Sequence, residues 1–251
     1  MKLSYTIKGA LLALTALLPT SLLAQADLSS SITARLGYSI GGTTPLGMPA
    51  SIRSLNSFQP RANIVVGADY VKPFSALWGI RACLRFENKG MKTDANVKTY
   101  QMEMRKGADF IEGVFTGGVV TEVDQWMLTV PVLANLQVRK VAVRVGPYVS
   151  CVLSNNFSGY AYDGYIRQGD PTGPKVMIGS EPGQRGDYDF SSDLRRAQFG
   201  IMAGADWQFA QHFGAYVDLS WGLTGVFDSD FKTIEQTMYP IYGSLGVFYK
   251  F

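Results

Sequence analysis

YPIYGSLGVFYKF, residues 239–251, is the stretch that decides the fold. Tyr239, Ile241, Leu245, Val247, Tyr249 and Phe251 alternate with Ser244, Gly246 and Lys250. A period of two puts each set on its own face of an extended strand, one apolar and one polar.

Moving toward the N-terminus, the pattern returns seven times. Residues 213–224 set Phe213, Ala215, Val217, Leu219, Trp221 and Leu223 against Gly214, Tyr216, Asp218, Ser220 and Thr224. Residues 197–209 oppose Phe199, Ile201, Ala203, Ala205 and Trp207 to Gln198, Gly200, Gly204, Asp206 and Gln208. In 141–153 the odd positions Val141, Val143, Val145, Pro147, Val149, Cys151 and Leu153 face away from Arg144, Gly146, Tyr148 and Ser150. Residues 126–138, 78–89, 62–71 and 32–40 read the same way. The sequence predicts an all-β chain of eight antiparallel strands, with both ends of the set on one side.

A soluble sandwich of two sheets also alternates. Two features point instead to a closed transmembrane barrel. Segments 72–76, 139–140 and 210–212 are tight, whereas 41–61, 90–123, 155–196 and roughly 226–237 are long. Short turns alternating with long loops is the pattern of outer-membrane barrels, with the turns periplasmic and the loops extracellular. The apolar-face aromatics also sit at strand ends. Tyr70, Trp78, Trp207, Phe209, Phe213, Tyr249 and Phe251 fall at the short-turn end. Tyr38, Phe86, Trp126, Phe199, Trp221 and Tyr239 fall at the other, with aliphatic residues between. Two aromatic belts around an aliphatic band match a bilayer with its two headgroup levels.

The N-terminus reads as a targeting segment. Lys2 and Lys8 precede an apolar run at 9–18, Pro19 ends it, and Ala24 and Ala26 supply a small-residue exit. This predicts a signal peptide over 1–26, cut before Asp27 or, in a second register, before Gln25, and a barrel domain over 27–251. The run is too short to span a bilayer as a helix, and no cysteine near the cut offers a lipid anchor. Losing the segment lowers the formal charge of +3 to about +1. Nothing concentrates Lys and Arg as a nucleic-acid binder would. The composition is 47% hydrophobic, yet no later segment is a continuous apolar run long enough for a spanning helix. A membrane protein of this kind must cross as a closed barrel.

Several short motifs, in order, resemble the PorT-like outer-membrane barrel family. They are Gly37 with the first strand, Gly67, Asp69 and Tyr70, then Arg85-Phe86-Glu87-Asn88-Lys89-Gly90. Leu128-Thr129-Val130-Pro131-Val132-Leu133, Val145-Gly146-Pro147-Tyr148 and Phe199-Gly200 with Gly204-Ala205 follow. Trp221-Gly222-Leu223-Thr224 and Gly243, Gly246-Val247 and Tyr249-Lys250-Phe251 complete the set. The resemblance covers nearly all of the mature chain and implies a small barrel of OmpA- or OmpX-type architecture in a Gram-negative envelope. It implies no shared catalytic residue and no cofactor. A secretion role linked to one namesake does not carry over residue by residue.

On the polar face the ionisable residues are Arg35, Asp69, Arg81, Arg85, Glu87, Lys89, Arg144, Asp206, Asp218 and Lys250. Buried charges require partners. Both signs are present, and an eight-stranded interior is just wide enough for side chains to fill. The favoured reading is a hydrogen-bonded lumen network, and the alternative an ion path or ligand site. Ser–His chemistry, as in the lipid A deacylase barrels, lacks its base: the single histidine, His212, lies in a short turn. Asp187, Asp189 and Asp193 cluster in a loop and could support a carboxylate-only mechanism, but clustered loop acids are more often solvated or loosely cation-binding. Cys83 faces inward and Cys151 outward on strands that are not neighbours, which forbids a bridge. Tyr160, Tyr162, Tyr165 and Tyr188 among Gly, Asp and Arg could form a binding loop or a mobile polar one. Segments 98–105 and 114–123 could pair as a hairpin above the membrane. The expectation is a non-enzymatic envelope barrel serving as scaffold, surface-interaction or secretion-accessory protein. Its expected partners are membrane lipid, lipopolysaccharide, the barrel-assembly machinery reading the strand that ends in Phe251, and an unidentified extracellular or envelope protein.

Overall fold

The computed structural model describes residues 29–47, 49–231, 233–234 and 236–251, so the predicted signal peptide and its cleavage point lie outside the described residues. The strands are β1 (Ser31–Pro45), β2 (Ile52–Pro60), β3 (Asn63–Pro73), β4 (Trp78–Lys106), β5 (Asp109–Val138) and β6 (Val141–Gln168). After them come β7 (Lys175–Ile178), β8 (Gly186–Asp189), β9 (Ala197–Gln208), β10 (Phe213–Gly222) and β11 (Met238–Lys250).

Eight of these form a ring in the order β1, β3, β4, β5, β6, β9, β10 and β11, with every pairing antiparallel. The last strand closes it against the first, from Thr33↔Lys250 to Pro45↔Met238. A closed ring leaves no unpaired edge, the condition for crossing hydrocarbon with strands. Residues 74–77, 139–140 and 209–212 make the short turns. In the first, Ser75 Oγ accepts from Trp78 N at 2.9 Å. In the second, Arg139 adopts the left-handed region at φ 53.

The two faces separate as the alternation requires. Asn63, Asp69, Arg85, Thr129, Arg144, Ser150 and Asp218 are buried, while Leu36, Val66, Leu84, Val145, Leu219 and Leu245 are exposed. The exposed apolar side chains continue round the ring, far beyond the patch a soluble monomer leaves open. Trp78, Trp207, Tyr249 and Phe251 are exposed at the short-turn end, and Trp126 and Trp221 at the other. Phe86 stacks on Trp126 at 5.1 Å, tying adjacent strands at the upper belt.

Three strands run much longer than the sequence suggested. β4, β5 and β6 have 29, 30 and 28 residues. A bilayer needs only about 9–11 residues per strand. Segments 90–123 and 155–168, read as loops, are mostly continuations of these strands, including the hairpin expected at 98–105 and 114–123. Within 41–61 an additional strand, β2, pairs with β4 above the point where β3 has ended.

Candidate functional site

The lumen is filled by an ion network whose charged members come from six strands of the ring, four of them from β4. Asp206 on β9 accepts from Arg35 on β1 at 3.0 and 2.6 Å, from Arg81 on β4 at 2.8 Å, and from Arg144 on β6. Asp69 on β3 accepts from Arg35 and, at 3.0 Å, from Arg81. Asp218 on β10 takes Arg144, with Arg85 Nη1 2.9 Å away. β1 and β9 are not neighbours in the ring, so the Arg35–Asp206 pair crosses the lumen. Glu87 is reached by Lys89 at 3.2 Å and by the Thr129 hydroxyl at 2.7 Å, while Asn135 accepts from Arg81.

The cations also rest on aromatic faces. Arg35 lies 4.8 Å from the Tyr216 ring, and Lys89 sits 5.5 Å from both Tyr148 and Tyr242. Inward glycines make the room: a Cβ at Gly204 would run into Asp218 Oδ1, and one at Gly37 into the Tyr216 hydroxyl. Arg35, Asp69, Arg81, Arg85, Glu87, Lys89, Arg144, Asp206 and Asp218 are all buried. Lys250 stands apart, half-buried at the short-turn end. Ion pairs of this depth are held by mutual satisfaction, because removing one member leaves its partner as an uncompensated charge.

Beyond the upper belt lies a second core, apolar rather than ionic. Met91, Val97, Met102, Met104, Ile111, Phe115, Val119, Phe157, Ile166, Tyr188, Phe190, Leu194, Val226 and Phe227 pack together above the barrel mouth. Phe157 meets Phe227 edge to face at 4.8 Å, and Phe227 stacks on Phe231 at 4.4 Å. Strand β8 pairs with β6 at Ser158↔Asp189 and with β4 at Arg105↔Asp187, closing β4, β5 and β6 into a narrower outer ring.

The tyrosine segment is therefore ordered. Tyr188 is buried, with its hydroxyl against Thr121 at 2.7 Å and the Val120 carbonyl at 2.8 Å, and burial pushes its phenol pKa up. Tyr162 donates to Asp94 at 2.9 Å, and Tyr160 lies beneath Arg185. Asp187 pairs with Arg185, Asp189 accepts from Ser191 N, and Asp193 ends a 3₁₀ turn, so the three acids do not converge. On the outer surface Lys92 hydrogen-bonds Glu122 at 2.7 Å and, with Arg61 beside it, holds that carboxyl below the usual range.

His212 stacks on Tyr249 at 5.5 Å in the turn 209–212, with Nδ1 2.8 Å from the Lys250 carbonyl. Cys83 is buried, Cys151 is exposed, and both are free.

The sequence reading missed the outer core because the inward parity changes. Odd residues Met91 and Val97 point inward on β4, but after the irregularity at Val97/Tyr100, where Thr99 has φ 56, the inward residues are Met102 and Met104. On β6 the ladder skips from Val152 to Ser154, and inward parity passes from Ser150 and Val152 to Phe157 and Ala161. Clusters of Met and Phe flanking these irregularities were the available signal.

Two solved structures are similar to this chain. Ail, the attachment invasion locus protein of Yersinia pestis, is 10% identical, covers 88% of this chain and 97% of its own, and superposes with a TM-score of 0.38. CarO2 of Acinetobacter baumannii is 8% identical over 88% of this chain and 98% of its own, with a TM-score of 0.43. No curated protein matches the chain. The model of one family, described as the outer membrane protein beta-barrel domain, matches residues 23–228. With that match over most of its length and a closed antiparallel ring wrapped in an apolar band, the chain belongs to the outer membrane protein β-barrel domain family and is placed in the outer membrane.

Proposed function

We propose that this is a non-enzymatic envelope barrel in which the lumen is a structural plug and the outer cap is the working surface. One observation carries the reading. β4, β5 and β6 continue well past the upper belt and enclose their own apolar core. Building an ordered cap on a scaffold that already closes below it fits a surface for contacting other molecules. Supporting this, His212 sits at the end opposite the cap. The ordered motifs from Gly37 to Phe251 support a PorT-like branch with a surface-interaction or secretion-accessory role.

Membrane lipid and lipopolysaccharide surround the band in this reading. The assembly machinery engages β11, an extracellular or envelope protein engages the cap, and the signal peptide is removed before Gln25 or Asp27. The rival function is a narrow channel or a small-ligand barrel using the lumen charges. The cross-lumen Arg35–Asp206 pair speaks for the plug. Planar-bilayer recording of the refolded protein separates the two. The plug gives no unitary conductance, and discrete steps that vanish on an Arg144 substitution would establish the channel.

A further inference from the structure

The upper end of the ring holds a seam. β1 pairs with β3 only as far as Ser39↔Asn63, and above that level the strand beside β4 is β2. Among the described residues no ladder joins β1 to β2. Asn63 fixes the corner, donating to the Gly90 carbonyl at 3.0 Å and accepting from Gly90 N at 2.7 Å. The two sheet edges overlap. Gly42 lies on the same face of β1 as exposed Ile40, and a Cβ there would meet Met91 Sδ at 2.7 Å and the Phe58 ring at 3.3 Å.

Between the edges lies a cavity of about 510 Å³, walled by Gly42, Leu55, Phe58, Val97, Val119 and Ile241 among others. That volume is on the scale of a ligand pocket. Among the described residues, no Asp, Glu, Lys, Arg or His lines it. Leu55 and Phe58 point into the overlap yet are 51% and 42% exposed, because the space they face is open.

The geometry points to this cavity as a binding site for one acyl chain of an outer-membrane lipid. Its β1–β11 wall is the upward continuation of the apolar band: Ile40, Gly42, Ile241 and Leu245 share the lipid-facing side. A chain lying on that band can continue onto this wall beneath β2. The absence of ionisable residues in the lining decides against an occupant with its own buried carboxylate, which would need a cation beside it. The headgroup therefore stays outside while the hydrocarbon fills the seam.

The test uses the full barrel refolded in phosphatidylcholine vesicles containing a small fraction of a phospholipid with a diazirine at the end of one acyl chain. Photolysis and peptide mapping should find adducts on 91–97 and 117–121 as well as on the band at Leu245 and Val247. Ala95→Phe, which narrows the cavity, should lower the seam adducts about tenfold, the consequence of denying the chain a couple of buried methylenes. Band adducts and heat-modifiable migration should not change, which reports that the variant folds. Ala95→Asp, which fills less of the cavity than phenylalanine but adds a charge, should suppress the same adducts. Labelling confined to the band, seam labelling indifferent to both substitutions, or seam labelling only by a diazirine fatty acid added from water would each overturn the proposal.

Discussion

Val145 and Arg144 are one bond apart in sequence and belong to different solvents. Val145 is 56% exposed and pairs with Ala203 on the neighbouring strand, whereas Arg144 is fully buried between Asp206 and Asp218. A guanidinium placed at the bilayer midplane costs about 2–4 kcal/mol. Val145→Arg and Ala203→Arg should each lose that much in denaturant unfolding from lipid vesicles. Asp206→Asn should cost about 3–5 kcal/mol for a different reason, since three arginines lose the anion they share. Tolerance of Val145→Arg would mean that the face assignment of β6 is reversed, because a one-residue slip exchanges every side chain.

At the scale of the strand, legibility in the sequence ended where the ladder becomes irregular. The part of β6 that alternates without interruption stops at Leu153, and that residue is the one skipped between Val152 and Ser154. Below it, periodicity alone identified the lumen-facing residues, because the constraint there is one-dimensional: each position faces either lipid or lumen. Above it, Phe157 and Ala161 point into the cap after one parity change and Ile166 after a second, at the Thr116/Gly118 irregularity, and no period-two reading carries these forward. β2 and β8 were equally unreadable because their partners lie far away in the chain, and β7 because it is only four residues long. The lumen residues could be named, but their pairing across non-adjacent strands could not. The bulge also gives an expected outcome. Deleting Leu153 makes Val152 and Ser154 neighbours opposite Met127 and Trp126, a regular ladder, so Phe157 and Ala161 should keep facing the cap, and the cap should stay closed to protease in vesicles. A cap that the deletion opens to protease would contradict this register.

The whole molecule joins two differently solvated bodies through continuous strands. The lower ring is apolar outside and ionic inside, while the upper body has an ordinary apolar core and a polar exterior. Strands β4 to β6 pass from one regime to the other with backbone hydrogen bonds maintained except at the irregular positions. Their lower thirds match the span of a bilayer, and the remainder projects beyond it. The most direct measurement of this arrangement is a quenching scan along β6 in vesicles of brominated lipid. Cys83 is replaced, as is Cys151 wherever another position is labelled, and one fluorophore at a time is attached at residues 143, 145, 149, the native Cys151, 156 and 160. Strong quenching at 143, 145, 149 and 151, falling to background at 156 and 160, is the expected result. Quenching that continues undiminished through 160, or is absent at 145, would contradict a bilayer-spanning ring carrying an external cap.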